Sequence, residues 1–600
     1  MPAKWKLSII MKSESILAYF EKQITHLQNE LYNFAKEYPE AADALGINHQ
    51  EITDPQIKYL IDSVAYLNAR IEQRLDDHYP EFTEHMLGLI YPHYLCPTPA
   101  ICMMEFIPDA KMIAGQKIVQ GSLFSGNNKQ GQEVIFRQAT EVTIYPIELT
   151  SVSWLSPPFS QYPTAACAIQ LTISLLDKGN NISQYNISEL NLHLNGHDNI
   201  IWRLYDLLSL DSIGFEVKAK NHQTKRVKSA LVAEDISQLV ANNKNNTSFP
   251  GWTLLHDAFL FPARYLSFRL NLAESLQNIN DHECSIIIYF SCWPDELVNQ
   301  VNKDNISLFS CAGINLFPYL SEPMAVDFTK KNYKLFLDPQ KDLLLHSIDN
   351  VQDITSDSLF NIPQLYRESY DEINHPSSLA YDWRWNISHQ KSVGMAELSV
   401  SGSNNIQGGT RIWQINAQVT QHKQATEMHK YSELSSMDTL GFTGKLKIKT
   451  KPLIGEMIHQ DSDAILTILS HFRANLTSLL AADNPAEKLQ QWLLQYDRQY
   501  NHQLKTLIKS IHQVSSKRCV SPVKIGKNRL YFSGFKIVVT LNLTEDWGGV
   551  SFLGQVLQHF LASLTDDTVF IQLSIHTEGV IHRKIDYLGK VGCQTITAIV

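Results

Sequence analysis

Apolar residues recur at steps of three and four from Ile16 to Tyr38: Ile16, Phe20, Ile24, Leu27, Leu31, Phe34 and Tyr38. That spacing places them on one stripe of a helix over residues 14–38. Ser13 or Ser15 caps its start and Pro39 ends it. A second helix opens at Asp54-Pro55, an N-cap followed by proline at the first helical position. Its stripe is Ile57, Leu60, Ile61, Val64, Leu67, Ile71 and Leu75. A third, short helix follows Pro80, with Phe82, Met86, Leu89 and Ile90 on one face. Residues 1–95 are therefore expected to be a helical region. Its stripes either pack among themselves or bundle with other chains, and periodicity alone leaves both uses open.

Beyond residue 100 the period shortens to two. Glu133–Arg137, Glu141–Tyr145, Ala168–Leu175 and Ser285–Phe290 are β-branched and aromatic runs, punctuated by Gly, Asn and Pro. One helix, around Asn199–Ser209, is expected among them. Residues 218–248 are rich in Lys and Asn and read as a mobile insertion. Residues 370–435 read as strands with long polar loops. Helical spacing returns at Ala464–Ala481, Pro485–Tyr496 and Phe552–Leu564, with strands around 530–539 and about Gly579. The class predicted is α+β: an N-terminal long-helix region, a mainly-β multidomain body and a mixed α/β C-terminal region. The boundaries expected are 1–95 (helical), 96–330 (β-rich with one helix), 331–450 (β-rich and wing-like) and 451–600 (α+β).

Composition narrows the function. A chain of 600 residues exceeds what one core organises. Its net charge of −10 makes it a poor non-specific nucleic-acid binder. The eight cysteines form no C-x-x-C pair and read as free thiols in a reducing compartment. No run is long enough to span a bilayer and no signal peptide is evident, so the cytoplasm is expected. Met11 is an alternative start.

Catalytic patterns fail on inspection. Gly444-Lys445 has the ending of a phosphate-binding loop, but Leu446 replaces the magnesium-holding Ser/Thr and Thr439 replaces the first glycine. Gly549-Val-Ser-Phe-Leu-Gly554 resembles a nucleophile elbow whose second glycine comes one residue late. His78, His85 and His93 lack a fourth ligand, so no metal or other cofactor is expected. Lys225, Arg226 and Lys228, and Lys517 and Arg518, read as solvated basic faces.

Three stretches carry a family resemblance. The first runs from Tyr19-Phe20-Glu21 through Phe34–Pro39, Asp54-Pro55, Arg70-Ile71, Leu75–Asp77 and Tyr79–Phe82. It closes on Leu89-Ile-Tyr-Pro-His-Tyr-Leu95 and Pro97-Thr-Pro99. The second includes Trp202-Arg-Leu-Tyr-Asp-Leu-Leu208, Phe261-Pro262 before Tyr265-Leu-Ser-Phe268, and Asn315-Leu-Phe317. The third, weaker, is Leu466–Tyr496 with Phe552–Leu557. The chain thereby resembles the TssF (VasA/ImpG) baseplate proteins of type VI secretion. It departs from them in residues 1–10 and at Gln23-Ile24.

The resemblance implies a non-enzymatic scaffold. Two copies would join one TssG-like subunit in a wedge that also binds TssE- and TssK-like subunits. Six wedges would surround a VgrG-like spike below the sheath and tube, docked at the inner membrane through the baseplate. On this reading Phe20, Ile24, Leu27 and Leu31 are bundle contacts. The Tyr91–Pro99 segment, with Tyr91, Pro92, Tyr94, Pro97 and Pro99, fixes the junction to the β-rich body. The rival readings are a β-rich sugar- or peptide-binding protein and, behind it, a hydrolase using the loops of 370–435.

Overall fold

A computed structural model describes residues 3–44, 55–56, 58–72, 95–219, 224–227, 231–237, 250–276, 279–330, 332–335, 337–338, 341–356, 359–365, 379–386, 395–402, 409–437, 442, 444–454, 475–497, 501–525, 528–545, 548–565, 569–579 and 582–592. Among the described residues helix accounts for 29% and strand for 40%, a mixed α+β composition. The chain divides into two units, Met1–Leu89 with Ile458–Leu469, and Ile90–Met457 with Ser470–Val600.

Numbering only the helices used below, the first unit contains α1 (Ala3–Glu37), α2 (Pro39–Ala44) and α3 (residues 58–72). Pro39 has no N–H to give α1, yet its fixed φ suits the first position of α2. Ala35 and Ala42 are buried together, with Leu31 and Phe34 packed against them. The helix expected after Pro80 and most of the one expected at 464–481 lie outside the described residues.

The second unit contains a closed six-stranded barrel. Its strands in order are Ile101–Ile107, Ser310–Ile314, Glu133–Gln138, Leu123–Asn127, Glu433–Ser436 and Lys445–Ile448. Phe106, Phe124 and Phe136 are buried, and the first two meet edge-on at 5.7 Å. Closure leaves no free edge. Asn315 is fully buried beside it. Its amide donates to the Ile135 carbonyl (2.7 Å), and its oxygen accepts from the Gln421 backbone (2.6 Å) and the Thr420 hydroxyl (2.9 Å). One polar side chain thus ties three distant segments.

A five-stranded sheet (Thr224–Val227, Ser212–Ala219, Glu283–Phe290, Cys167–Leu175, Ile147–Leu155) and a four-stranded sheet (Val232–Ala233, Ser267–Asn271, Glu189–Leu194, Ile306–Leu308) fill much of the central stretch. Two expectations need correction here. Thr224–Val227, read as part of a mobile insertion, is a paired strand whose Arg226 stands opposite Glu216. The single expected helix, found as α4 (Asp198–Leu210), is joined by α5 (Pro250–Leu260). Trp252, Leu254, Leu255, Ala258, Phe259 and Leu260 of α5 are all buried. Its polar side chains, Thr253, His256 and Asp257, are half-buried or buried, so the helix shows no solvated face of the kind that marks an amphipathic helix.

The polar stretch 370–435 holds the strands Leu379–Asn386, Met395–Gly402 and Arg411–Thr420. Their core includes Leu398, Trp413, Ile415 and Val351. At the C-terminal end, α6 (Pro485–Leu494) and α7 (His502–Lys509) precede a sheet of Ile511–Ile525, Asn528–Leu543, Phe570–Gly579 and Arg583–Asp586. The second and third strands run parallel, joined by the crossover helix α8 (Val550–Ser563). Among the described residues every cysteine is a free thiol, and no helix is long and apolar enough to cross a membrane.

Gly534 marks where this sheet narrows. It is the first residue of its strand to pair with the Phe570 strand, and a Cβ there would lie 1.8 Å from the Phe570 carbonyl oxygen. Backbone cannot retreat as a side-chain tip can. Gly534→Ala should therefore destabilise the chain by about 2 kcal/mol or more, read from denaturant midpoints. A near-wild-type midpoint would contradict this close approach.

Candidate functional site

In the second unit, α4 and α8 meet in a close joint. The first N–H groups of a helix have no partner within it. At α8 the Val550 and Ser551 N–H groups donate to the two carboxylate oxygens of Asp206, at 3.0 and 2.9 Å. Asp206 sits on α4, so the cap comes from a different element. A carboxylate there also opposes the positive end of the helix dipole.

The approach depends on Gly548 and Gly549, at φ +73° and +87°. A Cβ on Gly548 would stand 2.5 Å from the backbone of Trp202 and Arg203. Aromatic rings close the joint: Trp202 lies 5.2 Å and Tyr265 5.9 Å from Phe552, and Trp252 lies 4.9 Å from Phe560. Burial raises the Tyr205 and Tyr265 hydroxyls well above the usual tyrosine range. Arg583 donates to Asp211 at 2.8 Å, and Arg203 pairs with Glu296. A cavity of 280 Å³ lies against these ion pairs, lined by Arg203, Asp206, Asp211, Cys292 and Arg583 among others.

In the helical unit, α1 and α3 touch through named contacts. Phe20 meets Tyr66 edge-on at 6.3 Å. Lys22 and Gln23 both donate to the Glu72 carboxylate, at 2.5 and 2.6 Å. The Lys22 bond foremost, with that of Gln23, holds the Glu72 carboxyl below its ordinary range. On α3, Ala65 and Ala69 are buried and Ile61 is half-buried. Leu60, Val64, Leu67 and Ile71 are exposed at 66, 40, 57 and 57%. Their spacing of four, three and four is that of a coiled-coil seam.

A polar cavity of 520 Å³ bears on the hydrolase reading. Gln120, Glu141, Glu234, Arg264, Ser267 and Arg269 help to line it. Ser267 Oγ lies 2.9 Å from His193 Nδ1, the one pairing there that resembles a nucleophile with its base among the described residues. His193 is buried, and burial first, then the Lys449 charge, pushes its pKa down to about 3. A catalytic base near neutrality needs the opposite, a carboxylate orienting its imidazole. Lys449 is spent on Glu105 at 2.9 Å. No group of three metal-ligating side chains occurs among the described residues.

The family profile described as "Type VI secretion system, TssF" matches residues 12–585. The chain belongs to the TssF family. It is 22% identical to the type VI secretion system component TssF1 of Pseudomonas aeruginosa, over 94% of this chain and 96% of that protein. Its fold matches a chain of the type VI secretion TssK-TssF-TssG baseplate subcomplex seen by cryo-electron microscopy. The TM-score is 0.72 at 17% identity, over 89% of this chain and 98% of that one. A chain of the type VI secretion baseplate complex matches with a TM-score of 0.59, also at 17% identity, over 95% and 99%.

Within this TssF-family fold the anticipated interface residues occupy different settings. Phe20, Ile24, Leu27 and Leu31 are half-buried on α1. Pro97 and Pro99 are buried just before the first barrel strand, whose Ile101 N–H donates to the Leu453 carbonyl at 2.9 Å. Tyr91, Pro92 and Tyr94 lie outside the described residues. The joint is not legible in the sequence: Asp206 falls within Trp202–Leu208 and Val550 within the elbow-like Gly549–Gly554, but nothing links two positions so far apart.

Asp206→Ala removes a helix cap and should cost about 1–2 kcal/mol in denaturant unfolding. An unchanged midpoint would refute the joint. His193 supplies a pH test. Its folded pKa lies below its unfolded value of about 6.5, so the unfolded chain binds more protons between the two. Its contribution is complete above about pH 6.5 and fades as pH falls toward 3. The midpoint of His193→Gln should therefore fall less than wild type between about pH 7 and 4. Parallel curves would refute the neutral buried imidazole.

Proposed function

We propose that this TssF-family chain is a structural subunit of the type VI secretion baseplate wedge. It assembles with TssG-, TssE- and TssK-like subunits around a VgrG-like spike and so anchors tube and sheath assembly. Two copies join each TssG-like subunit. The chain works in the cytoplasm, held at the inner membrane through the baseplate, and turns over no substrate. Family membership supports this reading. So do the fold matches, one to a chain of a TssK-TssF-TssG baseplate subcomplex and one to a chain of a type VI secretion baseplate complex.

The observation that carries the mechanism is the outward seam of α3. Four large apolar side chains at coiled-coil spacing are left in water while the alanine face packs inward. Burying one such side chain is worth about 1.5–3 kcal/mol, so a partner helix gains most by covering all four. The N-terminal long-helix region then forms a shared bundle, with Phe20, Ile24, Leu27 and Leu31 of α1 beneath the contact layer. The segment Tyr91–Pro99 stiffens the passage into the β-rich body through its prolines. Obligate interfaces of this kind keep a wedge rigid, and weaker contacts between wedges rearrange on firing.

Leu67→Asp puts a charge in the seam without touching the packed face of α3. Retention on a co-expressed TssG-family protein should fall about tenfold or more. Thermal unfolding of the chain alone should shift by less than about 2 °C. Full retention by the folded variant would contradict the shared bundle.

A further inference from the structure

The C-terminal sheet is uneven. Ile511–Ile525 and Asn528–Leu543 form one long antiparallel ribbon, from Ile511 opposite Leu541 to Ile525 opposite Asn528. On its other side Asn528–Leu543 meets Phe570–Gly579 in parallel, and that pairing begins at Gly534 opposite Phe570. Among the described residues, Asn528–Ser533 therefore has a neighbouring strand on one side alone, Val520–Ile525. At about 3.3 Å per residue the ribbon runs about 20 Å past the rest of the sheet.

An antiparallel strand sends about half of its N–H groups to each side. Those of Asn528–Ser533 that face away from Val520–Ile525 lie along an open edge. A two-stranded ribbon is marginal by itself in water, and an open edge is a template for other chains. The vacant place beside it is the one Phe570–Gly579 would fill if that strand began earlier.

The last described residues run toward this place. Lys590 and Val591 pair antiparallel with Ile571 and Phe570, and the Gly592 N–H donates to the Val569 carbonyl at 2.8 Å. The chain is thereby carried past the start of Phe570–Gly579, one strand spacing to the side of the vacant place. Residues 593–600 follow, Cys-Gln-Thr-Ile-Thr-Ala-Ile-Val. They hold no charge, glycine or proline, and all of 595–600 but Ala598 are β-branched, which is strand composition. Neighbouring strands lie about 4.8 Å apart, so two extended residues cover the sideways step and 595–600 then span about 20 Å. The family profile matches residues 12–585, so family membership does not account for this tail.

We propose that residues 595–600 form a strand that runs antiparallel along Asn528–Ser533 of the same chain and closes the open edge of the ribbon. The ribbon then has three strands, the smallest number that holds together as a sheet. A tail rooted one strand spacing away meets its own edge at a high effective concentration, which favours it over the tail of a second copy. The contact is made by backbone and is independent of the α3 seam.

The test is hydrogen–deuterium exchange of the full chain against a chain ending at Gly592. In the shortened chain, peptides within 528–533 should exchange about tenfold or more faster while α8 keeps its protection. Ile596→Pro with Ile599→Pro removes two strand donors at full length and should reproduce the effect, and Ile596→Val should not. A photo-cross-linking residue in place of Thr597 should attach within 528–533 of its own chain. Unchanged exchange in the shortened chain overturns the proposal. So does protection of 528–533 that grows with protein concentration, or a cross-link to a second copy or to another part of the chain. Loss of α8 protection in the shortened chain would assign the tail to the packed body and overturn it as well.

Discussion

The N–H groups that open α8 cannot be satisfied from within that helix, and in this chain the Asp206 carboxylate satisfies two of them. The two partners are far apart in sequence. For the bond to form, the chain entering α8 must turn through Gly548 and Gly549, whose positive φ values favour glycine. The turn must also come within contact of the α4 backbone. Once it does, Trp202, Tyr205 and Tyr265 are held against Phe552 and Gln555, and α8 is buried along its length. The central sheets and the C-terminal βαβ unit are then one packed body.

That constraint suits a part that bears load. Several buried polar groups of the body find partners inside it: Asp257 accepts from Arg264 and Tyr265, Glu216 Oε1 accepts from Tyr289, and Asn315 bonds three partners. The barrel closes on itself. At the surface, α3 carries an exposed apolar seam.

The sequence was legible where one element dominates its own pattern. The stripe from Ile16 to Tyr38, the α4 run and the α8 run each announce a helix, and the alternating runs announce strands. It was less legible where two faces of one helix are both apolar. Leu60, Ile61, Val64, Leu67 and Ile71 read as one stripe. The structure divides them: Ile61 goes inward with Ala65 and Ala69, and the other four go outward. Alanines are too small to mark a core face in a periodicity count, so the inward face was hidden. Helix α5 is hard to see for the converse reason: its few polar residues, Thr253, His256 and Asp257, turn into the packed body instead of forming a solvated face. Gly549–Gly554 reads as a failed catalytic turn because the sequence shows the glycines but not Asp206, the carboxylate their turn admits.

The central claim is that the packed body is complete in the isolated chain while the α3 face is finished by another polypeptide. Hydrogen–deuterium exchange of the chain, alone and bound to a TssG-family partner, addresses it directly. The account predicts that residues 58–72 exchange faster alone and become protected in the complex, with α8 protected equally in both states. Equal protection of residues 58–72 in both states, or protection of α8 gained only on binding, would contradict it.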